Sequence, residues 1–340
     1  MKLAKYFSEL NKNIVKCELC PFNCIIKPDE YGLCKVRKNI MGKLYTQTWG
    51  RLLSMGSDPI EKKPLYHVLP GQSILSFATS GCNLSCHWCQ NSDIAQWPRQ
   101  HSIRPLPGAS AEPAAIVAKA RKNSLPMIAA TYTEPTVFYE YSLAIAKLAK
   151  KNEIMNIWVS NGAINPEPLQ ELIPFLDAAN IDLKGFDSKL TSKYTGLSYK
   201  HAARTIELLH NNGVWVEITT LIVPGINDDS AQLKDLSSFV ASLSPNIPIH
   251  FSRYFPVYKY HRPATPVEKM IEAVNIAREQ GLNFVYTGNI KLENSENTLC
   301  PSCHKTIIER NGYAVPELNI DDQGRCNFCQ TKIPGIFKNL

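Results

Sequence analysis

The middle of the chain alternates continuously apolar runs with stretches in which apolar residues recur at helical spacing. Near-continuous apolar character is typical of parallel strands that are buried on both faces. Six such runs, rich in Ile, Val, Thr and aromatic residues, lie at 73–79, 127–133, 156–160, 179–184, 214–223 and 249–255. A seventh run, 282–289, predicts an additional edge strand.

Helix signals fall between these runs. Ser110 is expected to cap the helix that includes AEPAAIVAKARKN, and Pro135 occupies the first turn of the next helix. Gly213 and Gly281 are expected to end two later helices. Six strand–helix units with right-handed crossovers predict an α/β fold, a partial (β/α)6 TIM-type barrel. In such a fold the functional groups lie at the C-terminal ends of the strands.

Eleven cysteines divide into three groups without remainder. An odd total argues against a complete disulfide framework, so the division predicts three metal sites. The predicted domains are an N-terminal basic four-cysteine segment (1–68), the barrel (69–294) and a C-terminal zinc-ribbon-like domain (295–340). The groups are Cys17, Cys20, Cys24 and Cys34; Cys82, Cys86 and Cys89; and Cys300, Cys303, Cys326 and Cys329.

Composition favours a folded, soluble, cytoplasmic protein. Hydrophobic residues make up 44% of the 340 residues, which is enough for a full core. The apolar runs are too short to cross a membrane, and the first residues lack the apolar region of a secretory signal. Residues 1–63 contain twelve Lys or Arg and six Asp or Glu, so most of the net charge of +7 lies there. This segment suits nucleic acid or an acidic partner, or it offsets the charge of metal-bound thiolates.

The segment TSGCNLSCHWCQN, residues 79–91, follows the first predicted barrel strand. Its three cysteines are one too few for a closed structural zinc site. Three thiolates can instead hold three irons of a 4Fe–4S cluster and leave the fourth iron open. The alternative is zinc with His87 as the fourth ligand, although His87 adjoins Cys86 and would strain the loop. The position at a strand end favours a catalytic cluster.

The spacing Cys82-x3-Cys86-x2-Cys89, with an aromatic residue before the last cysteine, resembles the radical S-adenosylmethionine (SAM) superfamily over residues 73–290. The resemblance implies that these catalytic cysteines hold a 4Fe–4S cluster whose open iron binds SAM, and that Trp88 flanks the adenine. It also implies an electron donor such as flavodoxin or ferredoxin, and cleavage of SAM to methionine and a 5′-deoxyadenosyl radical.

The second strand ends in TYTEP, residues 131–135, where the superfamily usually has Gly-Gly-Glu-Pro. The resemblance implies that Glu134 binds the SAM ammonium. Because the glycines are replaced, backbone approach to the ligand is less free, and the Thr133 hydroxyl is expected to substitute. The alternative for Glu134 is a carboxylate that complements the start of the following helix.

Later strand ends match segments of glycyl radical enzyme activases. The resemblance implies that Asn161, Asp182 and Lys184 border the SAM ribose and carboxylate, and that His250 approaches SAM. The alternatives are ordinary strand-end capping and a buried core histidine. The Val-Pro-Gly segment at 223–225 is expected to form a turn that shapes the pocket.

Longer matches indicate a narrower resemblance. CELCPFNC (17–24), TYTEPTVFYEY (131–141), IDLKGF (181–186) and EITTLIVPGIND (217–228) resemble the radical SAM enzyme of the AmmeMemoRadiSam system. That family is similar to pyruvate formate-lyase activating enzymes. Protein partners from the same system are therefore compatible with the resemblance, whereas no membrane partner is expected.

The two flanking cysteine groups differ in how clearly their spacing in the sequence indicates the bound metal. Cys300-x2-Cys303 and Cys326-x2-Cys329 are two knuckles at zinc-ribbon spacing, so structural zinc is expected, with rubredoxin-like iron as the alternative. The four cysteines at 17–34 suit either zinc or an auxiliary 4Fe–4S cluster, and spacing does not decide between them.

The sequence therefore predicts a radical SAM enzyme that abstracts hydrogen from an unidentified small-molecule, protein or RNA substrate. One alternative is a glycyl radical enzyme activase that acts on a backbone glycine of a partner. A different class of alternative is a zinc-binding nucleic-acid adaptor that uses the basic N-terminal segment.

Overall fold

The computed structural model describes residues 1–337, and its N-terminal part contains two three-stranded antiparallel sheets. The first sheet has the order β1–β6–β5 and the second β2–β3–β4. Short 3-10 turns lie at Asn11–Asn13 and Ile60–Lys62. The strands are β1 Lys2–Leu3, β2 Phe7–Glu9, β3 Val15–Cys17, β4 Ile25–Ile26, β5 Arg37–Ile40, β6 Lys43–Thr46, β7 Arg51–Leu52 and β8 Ser54–Pro59.

An eight-stranded sheet follows, in the order β8–β9–β11–β12–β13–β14–β15–β16. Strand β8 pairs antiparallel with β9, and the other seven strands are parallel. Each parallel strand lies beside the preceding one, so the crossovers all advance in one direction and the helices cover one face of a partial barrel. The strands are β9 Ser73–Ala78, β10 Ala109–Ser110, β11 Met127–Ala130, β12 Met155–Ser160, β13 Ala178–Asp182, β14 Trp215–Ile222, β15 Ile249–Arg253 and β16 Val285–Gly288.

This topology confirms the predicted fold class, including an edge strand from the seventh apolar run. Strand β11 is buried at all four positions, as its uninterrupted MIAA sequence requires. Trp158 on β12 and Phe77 on β9 are each 1% exposed and belong to the same main core. No helix within residues 1–337 has both the length and the apolarity that crossing a bilayer requires.

The helices largely follow the predicted signals, with one correction. Ser110 lies in β10, paired with Arg51 of β7, so it does not cap a helix. The helix begins at Pro113 after Glu112, because proline fits the first turn. The helices are α1 Ser92–Ala95, α2 Trp97–Gln100, α3 Pro113–Lys122, α4 Tyr139–Lys151, α5 Pro166–Leu172, α6 Ser188–Thr195, α7 Lys200–Asn211, α8 Ser230–Leu243 and α9 Val267–Glu279, with 3-10 turns at Pro135–Phe138 and Ile173–Phe175.

The C-terminal segment forms a three-stranded antiparallel sheet that packs against the barrel. Its strands are β17 Thr298–Leu299, β18 Thr306–Asn311 and β19 Ala314–Leu318. A small apolar core joins Ile307 and Ile333 of this segment to Tyr66 and Phe284 of the barrel side. The segment therefore shares its core with the barrel.

Each flanking segment is also anchored by one buried arginine. Arg37 on β5 pairs with Glu140 on α4 at 3.0 Å, with 2% and 4% of the side chains exposed. Arg310 on β18 donates to the Tyr66 carbonyl at 2.7 Å, and its guanidinium lies 4.1 Å from the Tyr66 ring centroid. Its side chain and that of the nearby Glu61 are fully buried. Both arginines join distant parts of the chain through charged hydrogen bonds.

Candidate active site and metal centres

A cavity of about 670 Å³ lies where the parallel strands end. Residues from the loop after β9 through to β16 and the stretch that follows it line the cavity, together with Gly312 and Tyr313 of the C-terminal segment. C-terminal strand ends meet at one edge of a parallel sheet, which explains this convergence. Nine of the ten residues predicted for the SAM site line the cavity: Cys82, Cys86, Trp88, Cys89, Thr133, Asn161, Asp182, Lys184 and His250.

The three-cysteine loop presents its thiols to this cavity. The Leu84 N–H and the Asn161 amide donate towards Cys82 Sγ from 3.4 and 3.5 Å. Burial raises the pKa of all three thiols, that of Cys86 to about 11. Their thiolate forms therefore need a bound cation to stabilise them. Hydrogen bonds to cysteine sulfur are also among the contacts that tune iron–sulfur clusters.

Sulfur spacing separates this loop from a single-ion site. A metal ion needs several ligand atoms close together. Within residues 1–337, one group of three or more His, Cys, Asp or Glu residues has its ligand atoms all within 4.8 Å of one another, and it consists of the four C-terminal cysteines. The sulfurs of Cys82, Cys86 and Cys89 therefore do not all lie within 4.8 Å of one another, which agrees with a cluster in which each binds a different iron. His87 packs its ring against Tyr194, with centroids 5.4 Å apart. The zinc alternative with His87 is therefore not supported.

Aromatic side chains form one wall beside the cysteines. Trp88 is 3% exposed and contacts the cavity, and its ring centroid lies 6.2 Å from that of Tyr260 and 6.3 Å from that of Tyr194. The Tyr260 hydroxyl donates to the carbonyl of Pro224, in the predicted Val-Pro-Gly turn, at 2.7 Å. This wall offers a fixed apolar surface to a planar ring such as adenine.

The end of β11 has an unusual backbone where the superfamily usually has glycine. Tyr132 adopts a φ of 67°, in the left-handed region that disfavours a side chain. Its hydroxyl donates to Asp58, and the Lys63 ammonium lies 4.2 Å from the ring centroid. These contacts hold the strained residue in place. The neighbouring Thr133 hydroxyl donates to the Thr79 carbonyl at 2.8 Å, which ties β11 to the end of β9.

Glu134 is the tenth residue predicted for the SAM site. It is 0% exposed and is not among the residues that line the large cavity. Its carboxylate accepts the Thr136 N–H at 2.9 Å, the Ser160 hydroxyl at 2.8 Å and the Asn161 N–H at 2.9 Å. Glu134 caps the turn at Pro135 and joins the ends of β11 and β12, as the helix-start alternative describes. Its contact with the SAM ammonium stays a prediction.

The next strand ends carry the predicted polar groups. Asn161 donates to the Asn83 side chain at 3.0 Å as well as towards Cys82, and its own Oδ1 accepts the Ala163 N–H at 2.8 Å. Lys184 Nζ lies 3.0 Å from Asp182 Oδ2. Burial opposes the ammonium, but Asp182 and Cys86 hold the pKa of Lys184 above its ordinary value. A paired carboxylate and ammonium therefore face the cavity beside the cysteine loop.

His250 is both buried and on the cavity. It is 3% exposed, and its Nε2 lies 2.7 Å from Glu217 Oε2. Glu217 also accepts the backbone N–H groups of Tyr66 and His67, at 2.9 and 2.8 Å. His250 is therefore a buried histidine with a hydrogen-bond partner, Glu217, and it also lines the cavity.

The sequence patterns missed one wall of the cavity. Lys62, Tyr66, Tyr132 and Tyr313 all line it. Asp58 holds Lys62 and Lys63 at 2.8 and 2.7 Å. Burial raises the pKa of the Asp58 carboxyl, but the two ammoniums and the Tyr132 hydroxyl outweigh burial and lower it. The available signal was the charged and aromatic stretch SDPIEKKPLYH immediately before the first barrel strand.

The four N-terminal cysteines line a second, small cavity. Leu33, Arg37, Asn83 and Thr136 line the same space. Burial raises the pKa of all four thiols, so thiolates here also need a cation. No three of these four sulfurs lie within 4.8 Å of one another. The structure thus gathers these cysteines into one site with wide sulfur spacing.

The four C-terminal cysteines are packed more tightly. Cys300 Sγ lies 3.5 Å from Cys329 Sγ, and Cys303 Sγ lies 3.8 Å from Cys326 Sγ. A tetrahedral ion with metal–sulfur bonds of about 2.3 Å would place its sulfurs about 3.8 Å apart. These four residues therefore form a site that fits one metal ion.

The fold, the strand-end cavity and the cysteine loop together define a class of enzyme. The sequence model of the Radical SAM superfamily matches residues 77–237. The chain belongs to this superfamily and is an enzyme of SAM-dependent radical chemistry, for which the superfamily implies a 4Fe–4S cluster and SAM. This assignment removes the nucleic-acid adaptor as a description of the whole chain.

Individual relatives are similar to this chain over different shares of its length. A protein of Methanocaldococcus jannaschii, itself named as uncharacterized, is 40% identical over 336 residues, covering 98% of this chain and 99% of that protein. The isethionate sulfite-lyase activating enzyme of Nitratidesulfovibrio vulgaris is 22% identical over 150 residues, covering 43% of this chain and 49% of that enzyme. Streptococcus suis SuiB bound to S-adenosylmethionine has a TM-score of 0.51 at 14% identity, covering 71% of this chain and 55% of SuiB. The last likeness concerns the fold alone.

Proposed function

We propose that this chain binds a 4Fe–4S cluster through Cys82, Cys86 and Cys89 and uses SAM to abstract hydrogen from a substrate in the 670 Å³ cavity. The observation that carries the proposal is the position of the three thiols at a strand-end cavity, with two N–H donors aimed at Cys82. When bound, the cluster supplies the electron that cleaves SAM to methionine and a 5′-deoxyadenosyl radical.

The side chains around the cysteines have separate tasks in this proposal. Trp88 provides the flat surface for the adenine, and Asn161, Asp182 and Lys184 provide hydrogen-bonding groups for the ribose hydroxyls and the SAM carboxylate. Glu134 positions Asn161 through its backbone N–H at 2.9 Å. The buried walls exclude water and oxygen from the reacting groups.

The proposed function is tested by anaerobic incubation of the full chain with SAM and a chemical reductant. Release of 5′-deoxyadenosine is expected from the native chain and not from C82A/C86A/C89A. Iron and acid-labile sulfide should fall by about four each in that variant. Equal iron content in the two proteins would count against the cluster assignment, and equal nucleoside release would count against the reaction.

A second candidate is activation of a glycyl radical enzyme, favoured by the similarity to the isethionate sulfite-lyase activating enzyme. In that case the hydrogen comes from a backbone glycine of a protein partner. A glycyl radical signal in the electron paramagnetic resonance spectrum of the partner supports activation. Deoxyadenosine release that depends on a small molecule or an RNA supports the other substrate classes.

The C-terminal cysteines belong to the same proposal as a structural zinc site. Their sulfur separations of 3.5 and 3.8 Å fit a single tetrahedral ion. Rubredoxin-like iron would use the same geometry, so the metal present decides. Elemental analysis should give about one zinc per chain. Finding one iron in place of that zinc, lost in the Cys326→Ser variant, would identify the rubredoxin-like alternative.

A further inference from the structure

The N-terminal cysteine site has no task in the reaction proposed above. We propose that Cys17, Cys20, Cys24 and Cys34 hold a redox-active iron–sulfur cluster that relays single electrons to the cluster at Cys82, Cys86 and Cys89. This inference rests on the proposed function for its electron acceptor. It assigns to the N-terminal segment the iron–sulfur option that its spacing in sequence left undecided.

Sulfur spacing is the first argument. The C-terminal site shows how closely this chain gathers four thiols for a single ion, with sulfurs 3.5 and 3.8 Å apart. At the N-terminal site all four cysteines border one cavity, yet no three sulfurs lie within 4.8 Å of one another. A four-iron cluster explains both facts, because each thiolate binds a different corner of the cube.

Unpartnered donor atoms on two residues that border the cavity are the second argument. Arg37 is 2% exposed and Thr136 is 0% exposed, and both line the cavity. Arg37 Nε and Thr136 Oγ1 have no hydrogen-bond partner in the part of the chain that the structure describes. Buried donors are normally satisfied. The sulfur atoms of a bound cluster would supply acceptors and would gain stabilisation from the nearby guanidinium.

The third argument is the short connection between the two cysteine sites. Asn83 lines the N-terminal cavity and directly follows Cys82 in the chain. Its side chain accepts a hydrogen bond of 3.0 Å from Asn161, which also donates towards Cys82 Sγ. Arg99 joins the same two loops, since it donates to the carbonyls of Leu33 at 3.1 Å and Asn83 at 3.0 Å.

The position near the surface gives the electron a way in. Leu33, adjacent to Cys34, is 53% exposed, and Lys35 on the other side is exposed. The first 63 residues carry most of the chain's net positive charge, which favours an acidic carrier of the flavodoxin or ferredoxin class. The carrier is oxidised by one electron as the N-terminal cluster is reduced. The N-terminal cluster is then reoxidised when it passes that electron to the cluster at Cys82.

Metal analysis of the native full chain tests the cluster without any substitution. The relay predicts about eight irons and one zinc per chain, whereas zinc at the N-terminal site predicts about four irons and two zincs. The variant C82A/C86A/C89A should keep about four irons and give a paramagnetic signal on reduction. Iron lost completely from that variant overturns the N-terminal cluster and leaves the proposed function standing.

A double variant tests the relay itself. C24S/C34S should lose about four irons but retain zinc and the paramagnetic signal that responds to SAM. Its reduction by a flavodoxin should slow, whereas reduction by dithionite, which reaches clusters without docking, should not. Equal rates with flavodoxin in the native and variant proteins would overturn the relay. A different pair of results would refute the proposed function alone. In that case iron remains in C82A/C86A/C89A, and the native chain shows no paramagnetic signal that responds to SAM.

Discussion

The N-terminal and C-terminal segments each supply four cysteines and one buried arginine, yet they build different sites. The C-terminal thiols stand on two tight turns, with sulfurs 3.5 and 3.8 Å apart. The N-terminal thiols border a small cavity beside the catalytic loop, and no three of their sulfurs lie within 4.8 Å of one another. The comparison teaches that the number of thiols does not define a metal site. The spacing of the sulfurs and the neighbouring donors do.

The sharpest way to separate the two segments is to remove one cysteine from each. Cys326→Ser should cost the C-terminal segment its metal, which in small zinc domains contributes about 10–16 kcal/mol of binding free energy to folding. We expect rapid proteolysis of residues 298–337 and loss of about one zinc. The matched variant Cys34→Ser should leave both zinc and C-terminal protection unchanged, and shared loss would show that the two sites fold together.

The buried arginines test whether both segments depend on the barrel in the same way. Replacing Arg37 or Arg310 by Met leaves a carboxylate, Glu140 or Glu61, buried without its cation. Breaking such a pair typically costs about 3–5 kcal/mol of unfolding free energy. Chemical denaturation of the metal-loaded proteins measures it.

Lys43→Ala is the control for these arginine variants, because the Lys43–Glu9 pair is half exposed. It should cost less than about 1 kcal/mol. Arg310→Met should lower the unfolding free energy by more than the loss of the ion pair alone. The reason is that the Arg310 guanidinium also packs on the Tyr66 ring, 4.1 Å from its centroid. Equal and small effects of both arginine variants would refute the anchoring role.

Acid should distinguish the segments through His67. Burial lowers the pKa of His67 to about 4, and its ring nitrogens lie 2.7 Å from the Pro334 carbonyl and 2.7 Å from the Tyr286 hydroxyl. The unfolded chain binds a proton near pH 6.5 and the folded chain only near pH 4. Stability is therefore full above pH 6.5 and falls as the pH drops to 4, by about 3 kcal/mol in total.

The measurement is the difference in unfolding free energy between the native chain and His67→Gln, followed from pH 7 to pH 4. Subtraction removes the acid sensitivity that the thiolate sites share in both proteins. The difference should shrink as the pH falls, because only the native chain has the buried imidazole. A difference in unfolding free energy that is independent of pH would show that His67 does not make stability depend on pH.

Glu134 provides the smallest expected effect and links the N-terminal site to the catalytic loop. Glu134→Gln replaces a carboxylate that accepts from Thr136, Ser160 and Asn161 by an amide with one acceptor oxygen. Hydrogen bonds to charged groups contribute about 1.5–3 kcal/mol, so stability should fall by a comparable amount. Titration with SAM under anaerobic conditions provides the second readout. A large loss of SAM affinity with unchanged stability would support direct contact with the ammonium.

The barrel was predictable because its strands are buried on both faces. MIAA is an uninterrupted apolar run and NIWVS has a β-branched and aromatic centre, and short runs of this kind suit parallel strands. Strands such as Lys2–Leu3 and Ile25–Ile26 contain two residues each, which is too few for any periodicity to show. The small N-terminal sheets could not be predicted for this reason.

The candidate site is predictable where a motif and a strand end coincide, and it is not predictable where the direction of a side chain decides. The three-cysteine spacing located the loop, but sequence does not say whether the Glu134 carboxylate faces the cavity or the neighbouring strand. Tyr132 and Asp58 are 74 residues apart, so their contact emerges only in the folded sheet. The Glu217 partner of His250 is likewise visible only across adjacent strands.

The sequential strand order also has a consequence for synthesis on the ribosome. Each parallel strand can join its predecessor as it emerges, because neighbours in the sheet are neighbours in the chain. The contact between Arg310 and Tyr66 spans 244 residues, and that between His67 and Pro334 spans 267. The wall of the cavity that Gly312 and Tyr313 form must therefore wait until the C-terminal segment has been synthesised. The growing chain keeps an open flank through which a preassembled cofactor can be delivered before the C-terminal segment docks.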